Sequence, residues 1–218
     1  MGAEKSMNVS REFSVQQASF ALSEKTARYL AVKRVMDIWF VLIGLVVALP
    51  MIAVFSILIC LETPGPAIYT QERVGKGGKP FKLYKLRSMK IDAEKSGAVW
   101  AQKQDPRVTR IGAFIRRTRI DELPQLFNVL KGDMSMIGPR PERPVFTEKF
   151  QNEIPGFTQR LAVKPGLSGW AQVNGGYDMT PKEKLIFDLY YIRNLTFMLE
   201  LKIMLKTCKV VLTGDGAR

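Results

Sequence analysis

Apolar residues gather into one long run, Ile38 to Leu61, which holds 24 residues and no charge. A helix over that run is long enough to cross a hydrocarbon core of ~30 Å. Lys33-Arg34 precedes it, and Glu62-Thr63-Pro64-Gly65-Pro66 ends it. Pro50 falls at its middle, where a proline removes one helix hydrogen bond and bends the axis. Two forms fit this pattern. One is a single span, and the other is a re-entrant helix–break–helix that dips into one leaflet and returns. The late start and the length argue against a cleaved signal peptide. The preceding stretch, 1–32, is of mixed polarity and reads as an arm, either a loosely amphipathic helix or partly disordered.

After Pro66 the period changes. AIYTQERVG and PFKLYKLRSM are short β-like runs, and Lys76-Gly77-Gly78-Lys79 between them predicts a hairpin turn. In the second run Phe81, Leu83, Lys85 and Arg87 alternate onto one face. If that face turns inward, Lys85 and Arg87 need a phosphate or a carboxylate to meet them; if the strand stops at Tyr84, both face water. Residues 90 to 106 read as a polar loop around Gly97, Trp100 and Asp105-Pro106. Thr109 to Thr118 predicts a helix with Ile111, Phe114 and Ile115 on its stripe and Arg116 beside it. Leu123, Leu126, Phe127 and Leu130 then recur at helical spacing, with Pro124 in the first turn and Lys131-Gly132 as the stop. Thr180-Pro181-Lys182-Glu183 is a capping box opening a helix towards Arg193. A last helix from about Thr196 to Thr213 places Lys202, Lys206 and Lys209 on one face, either against anionic head groups or facing water.

Charge alters the picture in two ways. The 218 residues carry a formal net charge of +13, which calls for an anionic partner. The cations also flank the apolar run on both sides: six Lys/Arg against three acids up to Arg34, and 27 against 15 after Glu62. Both flanks therefore prefer the cytoplasmic side, which the re-entrant form satisfies, while proline also occurs in ordinary spans and the charge rule weighs short loops most, so both forms stay open. The chain has no histidine, so Ser-His hydrolysis, His-ligated zinc and imidazole bases are excluded. Cys60 and Cys208 have no metal-ligand spacing and read as reduced thiols.

Candidate chemistry centres on Asp121 and Glu122, adjacent acids inside RRTRIDELPQLFNVLKGDMSMIGPRPER at 116–143. Taken alone, Asp121 reads as a helix N-cap and Glu122 as a first-turn charge. The arginines around them, Arg116, Arg117, Arg119, Arg140 and Arg143, point instead to metal-assisted phosphate chemistry. At a helix start amid cations, the charged form of Asp121 is expected to be favoured. Further along, RLAVKPGLSGWAQVN at 160–174 sets tight turns around Trp170, which either contacts a base or sugar, packs in the core or sits at the lipid interface.

In order, these motifs resemble the bacterial sugar transferase family of monotopic phosphoglycosyl transferases. The pieces are KRVMD at 33–37, the apolar run with its proline, PGPAIYTQERVG at 64–75, FKLYKLRSM at 81–89, IDELPQLFNVLKGDMSMIGPRP at 120–141, KPGLSGWAQVNG at 164–175 and DLYYIRN at 188–194. Family members often carry Ser before the proline, where this chain has Leu49. The resemblance implies an α+β, mostly helical fold: a re-entrant membrane hairpin over 33–62 bent near Pro50, then a small cytosolic catalytic domain over 63–218 with a short β-hairpin and amphipathic interfacial helices. It implies transfer of a sugar-1-phosphate from a UDP-sugar to polyprenyl phosphate with release of UMP, at the cytoplasmic face of the inner membrane. It implies Asp121 as nucleophile, Glu122 as a ligand of Mg²⁺ and phosphate contacts from Arg116 and Arg140; Lys85, Arg87, Arg160, Lys164 and Gln172 are the further candidates for substrate binding. Lys33, Arg34 and Pro50 are assigned to the membrane and the lipid phosphate. A homodimer is an option, and nucleic acid is not an expected partner. The competing reading is a basic membrane scaffold or nucleic-acid binder in which the two acids are only caps.

Overall fold

The computed structural model describes residues 24–93, 105–175 and 179–213. Its first element is a helix, α1, over Glu24–Glu62, with Pro50 inside it. The helix therefore begins within the expected arm, and helical structure continues through Pro50 where a break was expected. The reason is local. Proline forfeits a single hydrogen bond, and Pro50 lies on the exposed side, between the inward-facing Ala48 and Ile52, so its ring disturbs no packing. This helix is long and apolar enough to cross a membrane.

Its packing is one-sided. Val41, Leu45, Ala48, Ile52, Phe55 and Ile59 recur every three or four residues and meet the rest of the protein. Trp39, Ile43, Val46, Val47, Ile57 and Leu61 stay exposed on the other side. A helix apolar on both sides needs an apolar medium on the side its own protein leaves uncovered.

The remaining elements pack under the inner stripe. Strands β1 (Ile68–Val74) and β2 (Pro80–Leu86) pair antiparallel from Ile68 opposite Leu86 to Val74 opposite Pro80, across the expected Lys76–Lys79 turn. Helix α2 spans Arg110–Arg117, capped by the Thr109 hydroxyl, and α3 spans Gln125–Lys131, closed by Gly132 at φ +94°. A parallel pair absent from the sequence reading follows: β3 (Ser135–Ile137) beside β4 (Gly166–Ser168). Gly138 and Gly166 permit that approach, because a Cβ on Gly166 would fall 2.0 Å from the Gly138 nitrogen. Helices α4 (Pro144–Glu153), α5 (Trp170–Gly175), α6 (Pro181–Arg193, with its capping box) and α7 (Phe197–Thr213) complete the order.

Polar groups fix α1 against this body. Lys33, expected at lipid phosphate, is 4% exposed and pairs with Glu200 at 2.7 Å and Asp37 at 3.6 Å. Asp37 in turn accepts from the Ser135 hydroxyl and the Met136 N–H, and the Tyr191 hydroxyl lies 2.7 Å from Glu200. Arg34 donates to the carbonyls of Val129 and Leu130 at the end of α3. Both cations turn inward because an unpaired carboxylate or a bare helix end inside the protein would cost more than their own desolvation. KRVMD is thus a docking motif in this structure.

Candidate active site

Asp121 and Glu122 lie in a 3-10 turn over Ile120–Glu122, ahead of α3 rather than in its first turn. Arg119 enters that turn at φ +57°, and among the described residues it is the one non-glycine with positive φ. A left-handed arginine is strained and persists where its surroundings dictate it. Here Ile120, packed with Ile59, Leu86 and Ile115, pins one side of the turn. Asn128 pins α3 behind it, accepting from the Tyr84 N–H and donating to the Lys82 carbonyl.

Both acids are 7% exposed, at the wall of a cleft of about 350 Å³. Glu122 Oε1 receives Lys85 Nζ at 3.0 Å and Arg140 Nη2 at 2.6 Å, while Asp121 Oδ2 lies 3.5 Å from Lys85. The two carboxyls are unequal. Burial would raise Glu122, but Arg140 and Lys85 outweigh it and hold the group well below the usual carboxylate range. Burial pushes Asp121 up, against the opposing pull of Lys85, and the neighbouring Glu122 charge adds to the rise. The expectation that cations would favour charged Asp121 is therefore reversed, because desolvation exceeds their attraction at this position. One acid holds a fixed charge, and the other is the more basic and hence the better nucleophile.

The cleft is strongly cationic: eleven Lys/Arg and three acidic side chains line it. Of the sequence candidates, Lys85, Arg87, Arg116, Arg140, Arg160 and Gln172 line it, and Lys164 does not. The Lys164 ammonium sits instead by Gly132 and Arg34, where burial and the Arg34 charge lower its pKa. Arg87 is no partner of the dyad. It donates to the carbonyls of Thr63, Pro64 and Gly65, closing the turn that ends α1. Arg160 is 3% exposed and serves behind the wall: both Nε and Nη2 meet Asp188 Oδ2, and Nη2 donates to the Arg140 carbonyl at 2.9 Å. Gln172 uses Nε2 on the Leu167 carbonyl. Trp170 stacks on Tyr190 with Lys202 and Lys206 over its ring, so it packs among α5, α6 and α7.

Sequence reasoning missed Arg73, Glu142, Lys184 and Asp188. A signal existed for the last two: Lys184 and Asp188 are one turn apart on a well-capped helix, one reaching the cleft and the other Arg160. The loop containing Gly97 and Trp100 lies outside the described residues.

Comparison with known proteins matches most of the chain. A family model described as "Bacterial sugar transferase" matches residues 28–214. The chain is 95% identical over 162 residues to the "Putative undecaprenyl-phosphate N-acetylgalactosaminyl 1-phosphate transferase" of Bacillus subtilis (strain 168), covering 74% of this chain and 90% of that protein. It is 49% identical over 193 residues to the "UDP-N-acetylgalactosamine-undecaprenyl-phosphate N-acetylgalactosaminephosphotransferase" of Aeromonas hydrophila, covering 87% of this chain and 46% of that protein. It is 41% identical over 180 residues to the "UDP-glucose:undecaprenyl-phosphate glucose-1-phosphate transferase" of Escherichia coli (strain K12), covering 80% and 39%. The chain thus spans less than half the length of the latter two relatives. With a match from residue 28 to residue 214 and the acid pair set in a cationic cleft, the chain belongs to the bacterial sugar transferase family.

Proposed function

We propose that this chain is an undecaprenyl-phosphate sugar-1-phosphate transferase, taking the sugar-phosphate from a UDP-sugar and releasing UMP. The observation that carries the reading is the adjacent Asp121–Glu122 pair, met by Lys85 and Arg140, at the wall of a cleft lined by cations. An Asp121 carboxylate oxygen attacks the sugar-bearing phosphorus. The P–O bond to UMP breaks, and UMP leaves with the electron pair. A polyprenyl phosphate oxygen then attacks the same phosphorus and returns Asp121 as carboxylate. Arg116 and Arg140 face the transferring phosphates, and Lys85 spans both acids.

Magnesium fits this donor set. Mg²⁺ is usually bound by one or two carboxylates together with substrate phosphate oxygens. Asp121 and Glu122 are two such groups, and among the described residues no third Asp, Glu, Cys or His joins them. Glu122, held ionised, would be the protein ligand, and the ion would neutralise charge on the departing UMP.

The sugar proposed is N-acetylgalactosamine, which appears in the names of the Bacillus and Aeromonas relatives. The proposed setting is the cytoplasmic face of the inner membrane with α1 re-entrant. Arg34 and Glu62 bracket the apolar run, and both bind the same body: Arg34 at the end of α3, and Glu62 to the backbone N–H of Arg110 at 2.8 Å. About 40 Å of helix separates them, so a perpendicular span would set them on opposite sides of the bilayer.

UMP release over a panel of UDP-sugars tests the activity, with UDP-N-acetylgalactosamine expected to react fastest. Asp121→Asn should abolish release and the labelling of protein by radioactive sugar-phosphate. Robust turnover by that variant would overturn the nucleophile assignment. Single cysteines at positions 30 and 70 should label from the same side of sealed vesicles, and labelling from opposite sides would refute the re-entrant topology.

A further inference from the structure

We infer that the lip of the cleft formed by Ile68, Met89 and Ile91 is a subsite for the first isoprene units of the acceptor, with the nucleotide of the donor at the opposite, basic end. This rests on the transfer reaction proposed above.

The cleft has two unlike ends. Strand β1 runs beside it from Ile68 to Arg73, about 17 Å of extended chain. At the Arg73 end stand Arg143 and Lys184, all cationic. At the Ile68 end the apolar side chains Pro66, Ile68, Met89 and Ile91 line it, interleaved with Arg87, Lys90 and Arg107. Ile68 is 39% exposed and Ile91 67% exposed, so this end offers accessible apolar side chains beside its cations, a combination suited to a lipid phosphate. A polyprenyl chain, apolar over its whole length, gains more from such a surface than uridine or a hexose does.

The mouth also continues the membrane-facing surface. Ile91 covers the turn that ends α1, since a Cβ on Gly65 would fall 2.6 Å from Ile91 Cδ1. Immediately before that turn, Ile57, Leu58 and Leu61 are exposed on α1. A chain leaving the cleft over Ile91 therefore passes onto apolar helix surface. The spacing suits the chemistry as well. Lys85, which touches both acids, pairs with Tyr69, the residue next to Ile68. An acceptor phosphate held by Lys85 puts its first carbons at the lip. From there its oxygen forms the new P–O bond as the bond from phosphorus to Asp121 breaks, and the carboxylate departs with that electron pair.

The test measures steady-state UMP release in detergent micelles, varying undecaprenyl phosphate and the UDP-sugar separately. Ile91→Asn and Ile68→Asn replace exposed side chains, so folding is retained. Each should raise KM for undecaprenyl phosphate about tenfold, the factor expected from losing the burial of one such side chain. KM for the UDP-sugar should stay within twofold. Ile186→Asn, at a 61% exposed position on α6 that does not line the cleft, serves as control and should leave both unchanged. An unchanged KM for undecaprenyl phosphate in the lip variants would overturn the subsite, as would an equal rise in the Ile186 variant. A wild-type protein that releases no UMP with any acceptor would instead refute the transfer reaction itself.

Discussion

Asp188→Asn isolates the support behind the active site. Arg160 and Asp188 are 3% and 1% exposed, and both Arg160 contacts converge on one carboxylate oxygen at 2.8 and 2.6 Å. Removing one partner of a buried ion pair costs about 3–5 kcal/mol, because the other charge is left uncompensated. Asparagine keeps an acceptor oxygen, and Glu142 remains 3.8 Å from Arg160, so the expected loss is smaller, about 2–3 kcal/mol. For a chain of this size that lowers Tm by about 5–10 °C, read by thermal unfolding in detergent. Burial raises the pKa of Asp188 while Arg160 opposes the rise. If burial prevailed at neutral pH, Asp188 would be protonated and asparagine would be close to an isostere. A Tm change below about 2 °C would therefore refute the charged pair. The activity readout is separate. Arg160 also holds the Arg140 carbonyl, so loosening it displaces the guanidinium 2.6 Å from Glu122. Combined with Arg140→Gln, the Asp188 variant should cost little further kcat, since its effect on rate runs through Arg140.

Three further outcomes follow from the same geometry. Protonated Asp121 cannot attack phosphorus and its pKa is raised, so the rate of UMP release should fall as pH drops through a value above the ordinary ~4 for aspartate; Lys85→Met removes the largest opposing charge and should move that limb higher, while a limb at or below 4 would refute the assignment. Gly112→Ala should cost about 2–3 kcal/mol or prevent folding, because its Cβ would lie 2.0 Å from the Ser88 carbonyl oxygen and neither backbone can yield cheaply; an unchanged Tm would contradict the close approach of α2 to the chain at Ser88. Chelation by EDTA should abolish UMP release and added Mg²⁺ restore it, and full activity in EDTA would remove the ion from the proposed chemistry.

The elements were legible where the signal is local. Thr109 caps α2, Thr180 and Glu183 form the capping box of α6, and the double glycine turns β1 into β2. The acid pair was legible because nothing else in the chain sets two carboxylates amid so many arginines. What the sequence left open was where each cation points. Lys33, Arg34, Arg87, Arg160 and Lys164 all read as anion ligands, and four of them find their partners inside the protein: a carboxylate pair, a helix end, a chain turn and Asp188. Composition cannot separate an external phosphate from an internal carbonyl, since both ask for the same donor. The β3–β4 pair escaped for a related reason. It is three residues long on each side and depends on two glycines meeting from segments 28 residues apart. The fate of Asp121 escaped because desolvation is a property of the packed state, not of neighbours in sequence.

Helix α1 and the turn that carries Asp121 and Glu122 are parts of one packing arrangement. The inner stripe of α1 touches Leu126 and Val129 of α3 through Val41 and Leu45, and touches Ile115 and Ile120 through Ile59. Those contacts sit on either side of Asp121 and Glu122 in sequence, so the dyad occupies a loop whose two ends are both fastened to α1. Arg87 adds a second fastening, tying the end of α1 to the strand that carries Lys85. A displacement of α1 relative to the domain would therefore move Ile120, Lys85 and the lip at Ile91 together. For the proposed transfer, with an acceptor in the bilayer and a donor from water, this coupling would let the depth at which α1 settles in lipid set the height of Asp121 above it.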